Sequence, residues 1–267
     1  RYPNATNALN QRVRDGALII NYTGHGGETG WAAERVLEAS DINSWTNIDR
    51  LPLFVTATCE FSRFDDYERT AAGELVFLNN NGGGIALITT TRLAFAQSNF
   101  ILNTRFYHYV FEKINGNYPR LGDLVRLSKS FPENDNVRNI VLLGDPALQL
   151  AYPVFEIKTT GFFSSPYGAM KADTIYGTSK ITVTGQIEDT EGNIVQDFEG
   201  HLFPKVYDKP STIHMLVNDA RSRPGEFSVQ KNELFDGNVS VKQGKFTFSF
   251  FVPKDIARMR DAAVKLL

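Results

Sequence analysis

The sequence predicts an α/β fold on a parallel sheet, followed by an all-β sandwich. Three observations predict it. Four near-continuously apolar runs, ALIINY (17–22), LPLFVTAT (51–58), GIALITT (84–90) and NIVLLG (139–144), have the composition of parallel strands buried on both faces. Helical stretches lie between them, and strand–helix alternation with short connections covers both sides of a parallel sheet. Beyond LLGDPALQLAYP (142–153) the apolar period changes to two, the pattern of antiparallel strands with one inward face.

Taken in order, the opening RYPNATNALNQRVRDG is polar and helix-like, and the first strand follows it. Helices are expected over roughly 40–49, introduced by the cap signals Ser40 and Asp41, and over 70–80, 97–115 and 120–130. In the β-rich part, FEIKTT (155–160), KITVTGQIED (180–189) and VSVKQGKFTFSFFVP (239–253) read as strands. Turn signals mark them off at EGN (191–193), FDGN (235–238) and QG (243–244). Phe246, Phe248 and Phe250 alternate and so mark an inward strand face. The expected domains are 1–153, 154–258 and the start of a further segment at 259–267, within the helix-like KDIARMRDAAVKLL (254–267). Because the chain stops inside that stretch, it is expected to be a fragment of a longer protein.

The 267 residues are 42% hydrophobic and 22% charged, enough apolar material for a core. A net charge of −2 and no Lys/Arg cluster exclude the counterion-release mode of nucleic-acid binding. Cys59 stands alone, so no disulfide can form within the chain. No apolar stretch approaches a membrane span, and no export signal opens the sequence.

Chemistry is concentrated at two strand ends. NYTGHGGETG (21–30) presents His25 between glycines just after the first strand, and Cys59 follows the second strand. Active groups of open α/β sheets gather beyond the carboxyl ends of the strands. If the two strands are neighbours, imidazole and thiol share one edge, the arrangement that a cysteine nucleophile and its base require. Gly26 and Gly27 allow a turn without a Cβ. The N–H groups of Gly26 and Cys59 are the candidate donors to a developing oxyanion. A phosphate loop fails on register, since Thr29 stands where GxGxxG needs its third glycine. Zinc is poorly supported because His108, His201 and His214 are scattered, and no metal or cofactor is expected. The remaining candidates are TTTRLAFAQSN (89–99), in which Thr90, Thr91 and Arg92 are read either as a specificity wall or as a plain loop, and the acidic loop of Asp65, Asp66 and Glu68. Asp145-Pro146 reads as a structural turn closing the first domain.

Strand–His–Gly followed by strand–Cys resembles the cysteine peptidases of the caspase-like fold. NYTGHGGETGW, TATCEF, GGGIALITTTR and VLLGDPALQL resemble the gingipain family more closely, and within it the PorU-type sortases of type IX secretion. The resemblance implies that His25 and Cys59 are the catalytic pair. It also implies that the sheet lacks its N-terminal part, that an acidic residue orienting the imidazole lies upstream, and that the β-rich part is immunoglobulin-like. It further implies an enzyme at the outer-membrane surface of a Gram-negative bacterium, working beside an outer-membrane β-barrel partner. Such an enzyme removes the C-terminal sorting domain of exported cargo proteins and can join the new carboxyl end to lipopolysaccharide. Two departures from the family pattern stand out: Thr58, where caspases have alanine, and the absence of the upstream half with its acidic residue, which leaves the third member of the site unnamed.

Overall fold

Pro3 opens the first helix at a position that needs no amide N–H, so α1 runs Pro3–Asp15 and stops at Gly16. The computed structural model describes residues 2–130, 135–165, 175–218, 223–254 and 256. The chain divides into two units, Arg1–Tyr152 and Pro153–Leu267.

In the first unit, β1 (Ile19–Thr23) leads into a small antiparallel ribbon of β2 (Gly26–Gly27), β3 (Gly30–Trp31) and β4 (Leu37–Glu38). Then come α2 (Ala39–Asn43), β5 (Leu53–Ala57), α3 (Ala72–Leu78), β6 (Ala86–Thr90), α4 (Ala96–Tyr109), α5 (Leu121–Ser128), α6 (Asp135–Arg138) and β7 (Ile140–Leu143). The main sheet has the order β1-β5-β6-β7, with β1, β5 and β6 parallel. Strands β5 and β6 are buried along their whole length, and their alternating side chains feed two cores. Phe54 and Leu87 pack with Val13, Ile42 and Val76 on the face of α1, α2 and α3. Leu53, Val55, Ala86 and Ile88 pack with Leu102, Phe106, Leu121 and Leu124 on the face of α4 and α5. This is the expected sheet covered on both sides.

Two expectations are corrected. The 139–144 run forms β7, but it pairs antiparallel with β6, and only Ile140 of its four residues is buried. Apolar runs report burial and not direction. Two helices in succession, α4 and α5, with the short α6 after them, bring the chain back to the end of the sheet where β6 finishes. Ile140 therefore starts β7 beside Thr90, whereas a single crossover helix would have delivered it to the far end and kept the strands parallel. The helix expected over 40–49 is only α2: Asn47 instead turns inward and bonds both the N–H (2.9 Å) and the C=O (3.0 Å) of Gly83, which anchors the exposed loop that follows it.

In the second unit, β8 (Glu156–Ser165) and β9 (Lys180–Glu188) precede the short strands β10 (Gly200–Leu202), β11 (Lys205–Tyr207), β12 (Ser211–His214), β13 (Glu226–Val229), β14 (Glu233–Asp236) and β15 (Val239–Val241). The last strand is β16 (Lys245–Phe251). An antiparallel sheet of order β16-β9-β8 is accompanied by the two-stranded pairs β10–β15, β11–β14 and β12–β13. Phe246, Phe248 and Phe250 point into one core with Ile181 and Val183, and Phe235 of β14 stacks on Phe248 at 5.0 Å. At the QG signal, Gln243 and Gly244 both take positive φ between Lys242 and Lys245, which exchange backbone hydrogen bonds. That is a two-residue hairpin loop of mirror-image type. The segment expected at 259–267 lies outside the described residues.

Candidate active site

The β1–β5 ladder fixes the geometry. Its register runs from Ile19–Leu53 to Thr23–Ala57, and Gly24 N–H continues it to the Ala57 carbonyl at 3.4 Å. His25 and Cys59 each stand two residues beyond the last pair, so both follow the carboxyl ends of neighbouring parallel strands. The following residues interlock. A Cβ on Gly26 would meet Thr58 Oγ1 at 2.5 Å and the Gly30 carbonyl at 3.0 Å, so the backbone beside His25 lies directly on the residue that precedes the thiol. Only glycine fits there.

The His25 carbonyl is held by two donors, the Tyr22 hydroxyl at 2.6 Å and the Ala32 N–H at 2.8 Å. Tyr22 in turn stacks on Trp31 with ring centroids 4.4 Å apart, and burial together with Glu34 raises its phenol above the ordinary tyrosine range. Because Ala32 bonds His25, the antiparallel alternation makes Gly26–Trp31 a non-hydrogen-bonded pair. The ribbon therefore does not use the Gly26 N–H.

Cys59 is partly buried, and its thiol lies 3.6 Å from the Ala94 carbonyl. The loop that carries it is tied to the continuation of β6. Glu60 N–H donates to the Arg92 carbonyl (3.2 Å), Ser62 N–H donates to that of Thr90 (3.0 Å), and the Thr90 hydroxyl bonds the Thr58 carbonyl. Thr90 is thus buried beneath the site, and Thr91 bonds Asn139. Arg92 gives its guanidinium to both oxygens of Asp65 at 2.9 and 2.5 Å, which holds that carboxyl below the usual range. Asp66 is held low chiefly by the Glu68 N–H, then by its side-chain hydrogen bond with Glu28, with Arg69 and Arg63 assisting. His108 lies on α4, and His201 and His214 lie in the second unit.

Sequence reasoning missed a charged cluster at this edge. Glu28, at the tip of the β2–β3 hairpin, binds Arg63 at 3.0 Å and Arg69 at 3.4 Å, beside an open cleft of about 520 Å³ that includes Thr29 and Asp66. A usable signal existed: Glu28 is three residues from His25 and Arg63 four from Cys59, so opposite charges sit at nearly equal offsets on paired strand ends.

A doubly covered α/β sheet with histidine and cysteine beyond neighbouring parallel strands is the layout of a cysteine peptidase. The chain belongs to peptidase family C25, whose model matches residues 1–151, in agreement with the gingipain resemblance of the sequence. Among solved structures, the crystal structure of the Arg-specific cysteine proteinase gingipain R (RgpB) has 16% identity and a TM-score of 0.48, covering 98% of this chain and 55% of that one. The complex of Porphyromonas gingivalis RgpB pro- and mature domains has 15% identity and a TM-score of 0.47, covering 98% and 56%. Dimeric latent PorU from Porphyromonas gingivalis has 21% identity and a TM-score of 0.36, covering 59% and 15%. The chain spans about half the length of the gingipain chains it matches. No curated protein matches it by sequence.

Proposed function

We propose that the chain is the larger part of a cysteine peptidase site with His25 as general base and acid and Cys59 as nucleophile. The observation that supports this is the parallel register of β1 and β5, in which Thr23 faces Ala57, with His25 and Cys59 each two residues further on. Cys59 Sγ forms a bond to the peptide carbonyl carbon, and the carbonyl π electrons move onto oxygen. The Gly26 and Cys59 N–H groups receive that oxyanion. As the C–N bond breaks, His25 delivers the proton taken from the thiol to the departing amine, leaving a thioester. Water or another amine then attacks the thioester and releases Cys59.

The finer reading is a sortase at the outer-membrane surface of a Gram-negative bacterium. It cleaves the C-terminal sorting domain from exported cargo, works beside a β-barrel partner, and passes the acyl group to an amine of lipopolysaccharide. Its second unit is an immunoglobulin-like sandwich. The local motifs around His25 and Cys59, and the antiparallel sheet after Pro153, support this reading. The test incubates full-length enzyme with cargo and amine acceptors. Cys59→Ala is expected to abolish cleavage, and a cargo–amine product is expected from wild type. Hydrolysis alone under all conditions would make the protein a surface endopeptidase.

One observation favours a non-catalytic binding module instead: the thiol points at the Ala94 carbonyl, 3.6 Å away. Under that reading Cys59→Ala processes cargo as well as wild type.

A further inference from the structure

The ribbon β2-β3-β4 shares no strand with the main sheet, although His25 lies immediately before its first strand. No ladder hydrogen bond of the main sheet therefore fixes how this ribbon sits against the end of β5. Its hold comes from the Gly26–Thr58 contact, the packing of Trp31, and the tip of the hairpin. At that tip Gly27 pairs with Gly30, leaving Glu28 and Thr29 as the two turn residues.

We infer that Glu28 is a positioning residue, whose carboxylate bridges Arg63 and Arg69 and so fixes the hairpin carrying His25 to the loop carrying Cys59. The inference rests on the reading of His25 and Cys59 as the reacting pair. Glu28 is far from an ordinary surface ion pair, since its side chain is only 12% exposed. One oxygen lies 3.0 Å from Arg63 and the other 3.4 Å from Arg69, so each side of the carboxylate has its own cation. Its carbonyl accepts the Ala72 N–H at 2.6 Å, which ties the same residue to the first turn of α3. Arg63 also reaches Glu60, the neighbour of Cys59, at 3.9 Å, and Arg69 reaches Asp66 at 3.4 Å. Glu28 is therefore the point where the two reactive loops share charge. The two arginines are themselves 40% and 51% exposed, so water screens their side of the bridge and the clamp is expected to act on geometry more than on folding.

The test uses the full-length enzyme with cargo as substrate, and follows iodoacetamide labelling of Cys59 by peptide mass spectrometry. Glu28→Gln keeps the side-chain shape and removes the charge. It is expected to lower both kcat and the Cys59 labelling rate by roughly 10- to 100-fold, the loss that small misplacements of reacting groups cause. KM is expected to stay within about twofold and Tm within about 3 °C, because neither ground-state binding nor the core is touched. Adding Arg63→Gln to Glu28→Gln is expected to cost little more, since Glu28→Gln already removes the bridge in which Arg63 takes part. Unchanged kcat and labelling in Glu28→Gln would overturn the inference. So would fully additive losses, or a loss matched by loss of folded protein in circular dichroism. Cys59→Ala and His25→Ala separate the two ideas: full turnover in those variants overturns the reacting pair itself, whereas null turnover in them beside normal turnover in Glu28→Gln overturns only the clamp.

Discussion

Gly26 shows how much one missing methyl can decide. Its ideal Cβ would lie 2.5 Å from Thr58 Oγ1, a buried hydroxyl on the segment that leads to Cys59. Gly26→Ala is expected to destabilise the domain by about 1–3 kcal/mol through overpacking. It should also slow Cys59 labelling, because the strain pushes the two loops apart; urea unfolding and iodoacetamide kinetics measure the two effects. Tyr152 offers a residue-scale test of a different kind. Its hydroxyl donates to the Val110 carbonyl at 2.7 Å and its ring stacks on Tyr118 at 3.9 Å. Burial, with help from Tyr118, pushes the phenol up to about 12 from its ordinary value of 10.0. A folded value above the unfolded one contributes stability that is complete below about pH 10 and is lost as pH rises towards 12. A tyrosinate absorbance titration, wild type minus Tyr152→Phe, should therefore show this ring ionising last among the ordinary tyrosines.

Among the elements, the strands β1, β5 and β6 were legible because continuous apolar runs have few other uses in a chain of this composition. The direction of β7 was not legible. It depends on how many helices intervene, and helix count follows from where α4 ends and α5 begins. That break lies in the 110–120 stretch, which carries both Asn115-Gly116 and a proline, and it could be weighed only with the packing in view. The turn at Asp145-Pro146 was read as structural, and it docks there: the Pro146 carbonyl accepts Gly122 N–H of α5 at 2.9 Å, and Asp145 caps the turn by accepting Ala147 N–H at 2.8 Å. The aromatic layer beneath the His25 ribbon is the element-scale feature most open to test. Phe54 of β5 lies 5.7 Å from Trp45 and 6.2 Å from Trp31. Phe54→Ala is expected to cost about 3–5 kcal/mol. Trp31 and Trp45 are the two tryptophans of the chain, so the change should appear directly in tryptophan fluorescence during unfolding.

For the whole molecule, His25 and Cys59 could be singled out from sequence because each follows a strand and each is chemically conspicuous. Glu28 and Arg63 carried only the weaker signal of similar offsets from His25 and Cys59, and Arg69 carried none, since charged loop residues are ordinary until the loops are known to face each other. The registers within the second unit were likewise hidden, because short strands such as β10 and β11 pair with β15 and β14, with other strands lying between them in the chain. The β1–β5 ladder has one more consequence, and it concerns insertions and deletions. The 34 positions between His25 and Cys59 are not a motif; what matters is that Thr23 faces Ala57. The connection between them can grow without moving either residue, provided that it grows at the exposed stretch around Ile48 and Asp49. A Gly-Ser insertion there should cost less than about 1 kcal/mol, the scale of a modest loop extension. It should also leave Cys59 labelling at its wild-type rate. Deleting Leu53 instead shifts one strand by a residue, turns every following side chain of β5 to the wrong face, and should abolish folding. Length is negotiable in this protein and register is not.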